Sequence, residues 1–436
     1  MKRILPLIAD NGLIAVLVVL TVSFSVATWT EQPLTGRAAG EALARLALRD
    51  FAGKSIAVVA TTHAEDAEFL DAIEMRLKEA GADFETIRGG PVDALRRLGA
   101  RHRDGPNVDL IVGSHATAGW SFLLDASTQF PNWPAAVYRQ APSYSWPTFL
   151  LADNLRNIIS QIAVIAIVAI GMTFVIATGG IDLSVGALMG FSAIVATLLM
   201  ERCFGGKEAT IGAQVVCCAA ALAGCAALGL ATGLLITRYD LPPFIASLGM
   251  MWISRGLAWK LSKGSTIAEV PPSFAVLGQG ATIAGIPNLV ALMFALFALA
   301  YVLMTRSVLG RCILAVGSNR RAATLSGLPV NRVLLFVYVL SAILAGLGGI
   351  ALASRLQSGD PKFGQEYELY VITAVVVGGT SLSGGQGRIH GTLLGALLIS
   401  VTQVGMNLVH VDPFSQMIVL GVILLTAVLI DRWKRQ

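Results

Sequence analysis

The stretch GGIDLSVG, from Gly179 to Gly186, decides the fold class of this chain. It places two glycines, an acid and a serine where a long apolar helix should still be crossing a membrane. Hydrocarbon offers no water to backbone groups or carboxylates, so such an interruption persists only where protein buries it or where it lines a cavity. A similar phrase, GGTSLSG from Gly378 to Gly384, ends a second apolar run. Two breaks in matching positions predict an all-α polytopic transporter built from internal repeats, with its path at the broken helices.

Composition places most of the chain in lipid. Hydrophobic residues make up 55% and charged residues 14% of the sequence, and the mean hydropathy is +0.70. Soluble domains carry about 25% charged residues. The net charge of +5 does not indicate nucleic-acid binding, because Lys and Arg cluster beside apolar segments. The five cysteines lack metal-ligand spacing, so we expect neither a metal site nor a cofactor.

The apolar runs predict ten membrane-spanning segments. The first, 11–29, is interpreted as a retained anchor helix rather than a signal peptide. After a polar stretch of roughly 115 residues, nine more follow at 155–178, 183–200, 211–237, 243–261, 286–304, 333–353, 367–377, 392–409 and 414–430. The 367–377 segment is too short to cross about 30 Å of hydrocarbon, so we expect it to continue as a broken segment through the glycines.

Charge asymmetry sets the predicted orientation. The loop 305–332 carries five arginines and no acid, which places it in the cytoplasm together with both termini. Glu368 then falls among the acids of the outer side. The polar stretch 31–146 lies outside the cytoplasm, between an N-terminal membrane helix in 1–30 and a permease domain in 147–436.

The polar stretch is expected to form a small α/β, Rossmann-like domain. Glycines and polar residues separate strands and helices that alternate along it, which implies a parallel sheet with helices on its faces. The predicted strands are 55–60, 84–87 and 108–112, with a further candidate at 135–138, and the helices are 65–80 and 92–100. His63 and His115 follow strand ends, where ligands of open α/β sheets bind. They also fit ordinary surface histidines.

Two interpretations of the first break remain open. In one, its bared backbone groups, Asp182 and Ser184 line the path of a polyhydroxylated solute. In the other, Asp182 is the N-cap of the next helix in a plain turn near the inner membrane boundary. The second copy, with serines at matching offsets, favours a repeated structural break. The candidate path residues are Asn154, Gly179, Gly180, Asp182, Ser184, Gly378, Gly379, Ser381 and Ser383.

The loop 305–332 predicts a short cytoplasmic helix. Ser318 or Asn319 can cap it, two alanines propagate it, and Gly327 with Pro329 ends it. Its small residues suit a groove on a partner, although a plain loop that satisfies the positive-inside rule is the alternative. The chain has no phosphate-binding GxxxxGK[ST] motif and no grouping of nucleophile, base and orienting residue. We therefore expect no enzyme activity in this chain and ATP hydrolysis on another subunit.

These phrases resemble those of permeases of bacterial ABC sugar importers of the ribose, xylose and arabinose type. The resemblance runs from about Asn154 to Arg435. It rests on Gly171-Met-Thr-Phe-Val-Ile with GGIDLSVG, Pro243-Phe-Ile-Ala-Ser-Leu-Gly-Met with Arg255-Gly, Leu309-Gly-Arg, Tyr367-Glu-Leu and Val377-Gly-Gly-Thr-Ser-Leu, in that order. It implies an inner-membrane permease pair, identical or paired with a similar permease, that is surrounded by lipid. An ATPase subunit below and a periplasmic sugar-binding protein outside are implied as partners.

The resemblance also implies that the 305–332 loop couples to the ATPase. The residues concerned are Gly317, Asn319, Arg320, Arg321, Ala322, Ala323, Ser326 and Gly327. The family commonly carries an acid just before Ala-Ala, where this chain has two arginines, so the matching surface of its ATPase is expected to be acidic. The long polar stretch is a second departure, interpreted as a docking or sensing module. An ion-coupled secondary transporter using Asp182 and a ligand-sensing membrane receptor are the competing functions.

Overall fold

The computed structural model describes residues 12–131, 133, 137–282 and 285–433. The chain divides into two compact units, with boundaries at residues 29 and 148. Helix α1 (Gly12–Ala27) precedes the first unit, residues 29–148, and is grouped with the second, which continues from residue 149. The division lies within two residues of the predicted stretch 31–146.

The unit 29–148 has strands and helices that alternate. Its strands are β1 (Trp29–Pro33), β2 (Ile56–Ala60), β3 (Phe84–Arg88), β4 (Leu110–Gly113), β5 (Val137–Gln140) and β6 (Ser143–Pro147). Its helices are α2 (Gly36–Asp50), α3 (Ala64–Glu79), α4 (Pro91–Asp104), α5 (Ser121–Leu124) and α6 (Ala126–Gln129). Strands β3-β2-β4-β5 form one parallel sheet in that order, and β1 pairs antiparallel with β6. Every residue of β2 and β4 is buried, as expected for parallel strands covered on both faces.

Helix α2 is the longest element of this unit that the sequence interpretation missed; β1, β6, α5 and α6 were not predicted either. Its buried residues Ala39, Leu43 and Ala47 recur every four positions, the spacing of one helix face, so the signal was present. Strands β2, β3 and β4 overlap the three predicted strands, and α3 and α4 overlap the two predicted helices. The candidate strand 135–138 overlaps β5, although residues 135 and 136 lie outside the described residues.

The second unit consists of α1 and helices that follow residue 149. They are α7 (Ala152–Ala177), α8 (Val185–Phe204), α9 (Ile211–Arg238), α10 (Pro243–Ser262), α11 (Ala275–Gln279), α12 (Asn288–Arg306), α13 (Val308–Ser318), α14 (Arg320–Leu325), α15 (Val330–Leu356), α16 (Tyr367–Val377), α17 (Ile389–Leu408) and α18 (Pro413–Trp433). In the described part of the chain, α7, α8, α9, α12, α15 and α17 are long and apolar enough to cross a membrane. The other four predicted spans contain α1, α10, α16 and α18.

Helix α7 is the core of this unit. Its residues from Ile162 to Ala177 are all buried, and α12, α15, α16 and α17 pack around it. Small residues allow close approach at the crossings. A Cβ atom on Gly171 would lie 2.8 Å from the Cα of Ser341, and one on Gly229 would lie 2.8 Å from the carbonyl oxygen of Tyr338. These contacts fix α7 and α9 against α15.

Candidate functional site

The first predicted break is a glycine-terminated helix end. Gly179 has a φ of +79°, in the left-handed region that glycine adopts without strain. Its N–H donates to the carbonyl of Ile176 at 2.9 Å, and the N–H of Gly180 donates to that of Val175 at 3.1 Å. This pair of hydrogen bonds satisfies the last carbonyls of α7. The chain can then leave the helix with its last carbonyls paired.

The second break repeats the same hydrogen bonds with a one-residue shift. Gly379 has a φ of +86°, its N–H donates to Val376 at 2.9 Å, and the N–H of Thr380 donates to Val375 at 3.1 Å. The helix therefore stops at the first glycine of GGIDLSVG but at the second glycine of GGTSLSG. Both predicted breaks are present in the structure, although their glycines are not equivalent letter by letter.

A side-chain turn follows each glycine. The N–H of Ser184 donates to Asp182 Oδ1 at 3.0 Å, and the N–H of Ser383 donates to Ser381 Oγ at 3.2 Å. Asp182 Oδ1 also accepts from Ser184 Oγ at 2.6 Å. Ser184 itself is the N-cap of α8 and makes no side-chain capping bond. The carboxylate therefore shapes the turn before the helix rather than capping it directly.

Asp182 reaches into the helical unit, beyond the end of α7. Its Oδ2 accepts from Ser341 Oγ at 2.9 Å, and Ser341 is the residue that faces Gly171 on α7. Gly171 precedes the last residue of α7, Ala177, by six residues, or about 9 Å of helix. The placement of Asp182 relative to the inner membrane boundary stays a prediction. The chain turns back after Gly179, and α8 begins inside the bundle.

Helix α16 also begins inside the bundle, beside the start of α8. A Cβ atom on Gly186 would overlap Glu368 Oε2 and the carbonyl oxygen of Gly364. The preceding segment 359–366 is irregular and follows α8, because a Cβ on Gly190 would lie 2.8 Å from the Phe363 carbonyl. One on Gly359 would overlap Thr197 Oγ1. An irregular segment therefore precedes α16 in addition to the glycine break that follows it, and the sequence predicts only the latter.

Lengths explain this arrangement. The eleven residues of α16 span about 16 Å, half of the roughly 30 Å of hydrocarbon. The irregular segment follows α8 between Thr197 and Gly186, over about the same distance. Two helices thus start at one interior level. Their N-termini carry partial positive charge, which the nearby carboxylates of Asp182 and Glu368 complement.

Some buried polar atoms at this level have no hydrogen-bond partner among the described residues. They include Tyr338 Oη on α15, Glu368 Oε2 on α16 and Arg255 Nη2 on α10. Tyr338 Oη lies over the first break, 2.5 Å from where a Cβ on Gly180 would be. Leaving such a group unpaired costs about 1–3 kcal/mol, so these atoms are available to a polar partner.

The sequence interpretation missed these groups. It assigned Glu368 to the outer side although Glu368 belongs to the predicted span 367–377. An ionisable residue inside a span is by itself an indication of function, so that rule would have found it. Tyr338 and Ser341 carry no such signal, because hydroxyl groups are common in apolar helices.

The predicted path residues do not all meet. Asn154 lies in the first turn of α7, where its Nδ2 donates to the Phe149 carbonyl at 2.8 Å. Twenty-three residues, or about 35 Å, separate it from Ala177, so it is not part of the breaks. The others belong to the two breaks: Gly180, Asp182, Ser184, Gly378 and Ser381 are buried, and Gly179, Gly379 and Ser383 are exposed.

The two breaks and the end of α13 contact each other through backbone. The N–H of Gly385 donates to the carbonyl of Ala177 at 3.0 Å. A Cβ atom on Gly317 would overlap that carbonyl oxygen, and one on Gly384 would lie 2.8 Å from the Gly179 nitrogen. We call these contacts of Ala177, Gly317 and Gly385 the backbone junction. It brings both breaks against the segment that leads to α14.

The short helix predicted in the 305–332 loop is present as α14. Asn319 Oδ1 accepts from the N–H of Ala322 at 2.9 Å, which caps its start. Gly327, with a φ of +78°, ends it, and the N–H of Leu328 donates to the Ala323 carbonyl at 3.1 Å. Helix α13, capped by Ser307 Oγ on the N–H of Gly310 at 3.0 Å, was not predicted.

Helix α14 presents a mixed surface. Ala323 is buried, whereas Leu325 is 84% exposed. Arg320 forms an ion pair with Asp240 at 3.6 Å, and both flank an open cleft with Arg321, Thr324 and Leu325. Of the predicted coupling residues, Gly317 belongs to the backbone junction and Asn319 to Gly327 form α14 and its ends. Leu325 and both arginines are exposed on α14, and arginine is enriched at protein interfaces.

Interior helix breaks connected to an exposed loop helix define a transport permease. Residues 154–428 match the family described as the branched-chain amino acid transport system / permease component. The chain belongs to this family and is a multi-pass permease of the bacterial inner membrane. The matched region begins at Asn154, after the unit 29–148.

The chain is also similar to individual sugar permeases. The ribose import permease protein of Escherichia coli (strain K12) is 42% identical over 293 residues, which cover 66% of this chain and 88% of that protein. The protein of the same name from Bacillus subtilis (strain 168) is 42% identical over 291 residues, with coverages of 66% and 87%. The L-arabinose ABC transporter permease protein of Azospirillum brasilense is 38% identical over 293 residues, with coverages of 67% and 84%. No solved structure matches the chain significantly.

Proposed function

We propose that this chain is the transmembrane permease subunit of an ATP-binding-cassette importer for a simple sugar or sugar-like polyol. The backbone junction carries this proposal, because it joins both helix breaks to the segment that leads to the exposed helix α14. A movement of α14 would therefore reach the path directly. The names of the relatives support a sugar as the solute, and hydroxyl groups at the breaks suit a polyhydroxylated molecule.

The proposed path passes the interior level where α8 and α16 begin. Asp182 and Ser184 are buried there and Ser381 is buried beyond the end of α16, all in hydrogen-bonded turns, so we assign them to the shape of the path. Tyr338 and Glu368 have unpaired buried oxygens and are the stronger candidates for direct contact with solute. Asn154 lies far from them, and its proposed place is near the other end of the path.

The proposed topology has ten spans with both termini in the cytoplasm. Residues 31–146 are then periplasmic and α14 is cytoplasmic. A membrane-impermeant maleimide should label Glu79→Cys in intact spheroplasts and Leu325→Cys only after lysis, in a background without the native cysteines. Labelling of both positions in intact spheroplasts would overturn the topology.

The proposed partners are an ABC ATPase subunit, a periplasmic sugar-binding protein and a second permease, identical or similar, in lipid. We propose that α14 binds the ATPase through Leu325, and that Arg320 and Arg321 face an acidic surface on it. The test is affinity purification of the tagged chain from its host in mild detergent, followed by mass spectrometry. An ATPase should co-purify with the native chain and with Leu325→Ile but not with Leu325→Glu.

Energy dependence separates the competing functions. Uptake of radiolabelled D-ribose should survive collapse of the proton and sodium gradients and stop when ATP is depleted. The reverse result, or transport by the purified chain alone without ATP, would establish an ion-coupled carrier. Competition by excess leucine but not by sugars would move the substrate to amino acids. No uptake of any tested solute under either condition would favour a receptor.

A further inference from the structure

The unit 29–148 has a crevice at the carboxyl edge of its parallel sheet. Strand β2 lies between β3 and β4. Helix α3, which follows β2, packs with α2 on the face of Ile56 and Val58, whereas α5 and α6, which follow β4, contribute Leu123 and Ala126 to the cluster on the opposite face. The chain thus leaves the adjacent strands β2 and β4 toward opposite faces. Ligands of open α/β sheets bind outside the strand ends at such a point.

The crevice lies at this point and has walls from three segments. They are the start of α2, the start of α3 and the turn after β4, which contribute Thr35, His63, Asp66 and His115 among others. We propose that this crevice binds a neutral polyhydroxylated small molecule, such as one edge of a monosaccharide. The inference concerns the unit 29–148 alone and is independent of the transport path.

Asp66 is the anchoring acceptor of the crevice. Its side chain is 5% exposed, and all its hydrogen bonds in the described structure use Oδ2. That oxygen accepts from the N–H and Oγ1 of Thr61, both at 2.6 Å, and from Ser114 Oγ at 2.9 Å. The carboxylate therefore ties the ends of β2 and β4 together and leaves Oδ1 to accept from a ligand.

Donors surround this acceptor. Helices α2 and α3 begin at the crevice, and their N-cap residues, Thr35 and His63, make no side-chain capping bond. The N–H groups of both first turns are therefore available to a ligand. His63 and His115 are exposed at the mouth, and either imidazole can donate or accept.

The mixture of groups selects the class of ligand. Asp66 and Glu65 oppose an anion, and the helix N-termini oppose a cation. No cluster of His, Cys, Asp or Glu among the described residues has the arrangement of a metal site. A hydroxyl group both donates and accepts, so a neutral polyol satisfies carboxylate, imidazole and N–H groups together.

The size of the crevice sets the strength of binding. Its volume is about 90 Å³, room for roughly three water molecules, whereas pockets that enclose a whole ligand have about 300–1,000 Å³. One edge of a sugar ring fits, and the other edge faces solvent. Binding to this chain alone should therefore be weak and should release quickly.

The test is hydrogen–deuterium exchange with mass spectrometry on the full chain in lipid nanodiscs. D-ribose, glycerol, inorganic phosphate and calcium chloride are titrated separately as probes. With D-ribose at about ten times its dissociation constant, amides in 61–69 and 113–118 should exchange about tenfold more slowly. Phosphate and calcium should leave these peptides unchanged. The readout is specific to this edge of the sheet and is separate from transport.

Variants on the exposed rim keep the test falsifiable. Ala116→Trp fills the mouth and should abolish the protection, and the double variant His63→Ala/His115→Ala should weaken it. Thr62→Ala, an exposed neighbour that does not line the crevice, is the matched control. Unchanged exchange in β2 verifies the fold of each variant. Protection by phosphate or calcium, protection that survives Ala116→Trp, or no protection by either polyol would overturn the proposal.

Discussion

Adding one methyl group at Gly186 should damage the protein, because this glycine is where α8 and α16 begin together. A Cβ atom there would overlap the Gly364 carbonyl oxygen and Glu368 Oε2. The Glu368 side chain can turn away, whereas the backbone oxygen cannot move without displacing the segment before α16. The perturbation is therefore a forced separation of the two helix starts.

The expected loss of stability follows from overpacking of the core. Extra methylene groups in a packed core cost about 1–3 kcal/mol. At about 2–4 °C of melting temperature per kcal/mol for a unit of this order of size, Gly186→Ala should lower the melting temperature by about 2–12 °C. Uptake of labelled D-ribose should fall as well, because the interior level is also the proposed contact region for solute.

A matched glycine on α10 supplies the control. A Cβ on Gly256 meets no atom within 4 Å, and replacing a glycine inside a helix by alanine gains about 0.5–1 kcal/mol. Gly256→Ala should therefore raise the melting temperature of the detergent-solubilised chain while Gly186→Ala lowers it, both followed by tryptophan fluorescence. Equal melting temperatures and equal uptake for the two variants would refute the assigned contact between the helix starts.

Three further substitutions test other contacts. Asp182→Ala leaves the Ser184 N–H and the Ser341 hydroxyl without their acceptor and should cost about 1–3 kcal/mol of stability, measured as a lower melting temperature. Asp182→Asn keeps the acceptor at Oδ1, so its melting temperature should lie between those of Asp182→Ala and the native chain. Asn319→Ala removes the cap of α14, worth about 1 kcal/mol, and should reduce ATPase co-purification with little change in melting temperature. Recovery of the same amount of ATPase with Asn319→Ala as with Asn319→Asp would contradict this. Glu368→Ala removes an unpaired buried oxygen but also a carboxylate that complements the start of α16, so the melting temperature should change little while uptake falls about tenfold, or about 1.4 kcal/mol. Full uptake would place Glu368 outside the path.

Local chemistry explains what the sequence could predict. The breaks at Gly179 and Gly379 and the ends of α14 follow from glycine and capping residues, whose hydrogen bonds reach only a few positions along the chain. Because those bonds form wherever the segment lies, a phrase alone is sufficient to predict them. The same reasoning gives the apolar helices and most of the parallel sheet.

The positions of Asp182 and of the start of α16 within the helical unit could not be predicted in the same way. The level of Asp182 depends on Ser341, which is 159 positions away in sequence, and the start of α16 depends on the glycines of α8. The contact between Gly186 and Glu368 carries no local signature in either segment. The one-residue shift between the two GG pairs was not predicted either, because either glycine of a GG pair can adopt a positive φ.

The backbone junction has a mechanical consequence. Side chains at a contact can change rotamer and absorb a small displacement, but Ala177, Gly317 and Gly385 meet there through main-chain atoms. Such a contact has low compliance, so a displacement of α13 would reach both breaks together and with little loss of amplitude. A methyl group at Gly317 would then disturb both breaks rather than one.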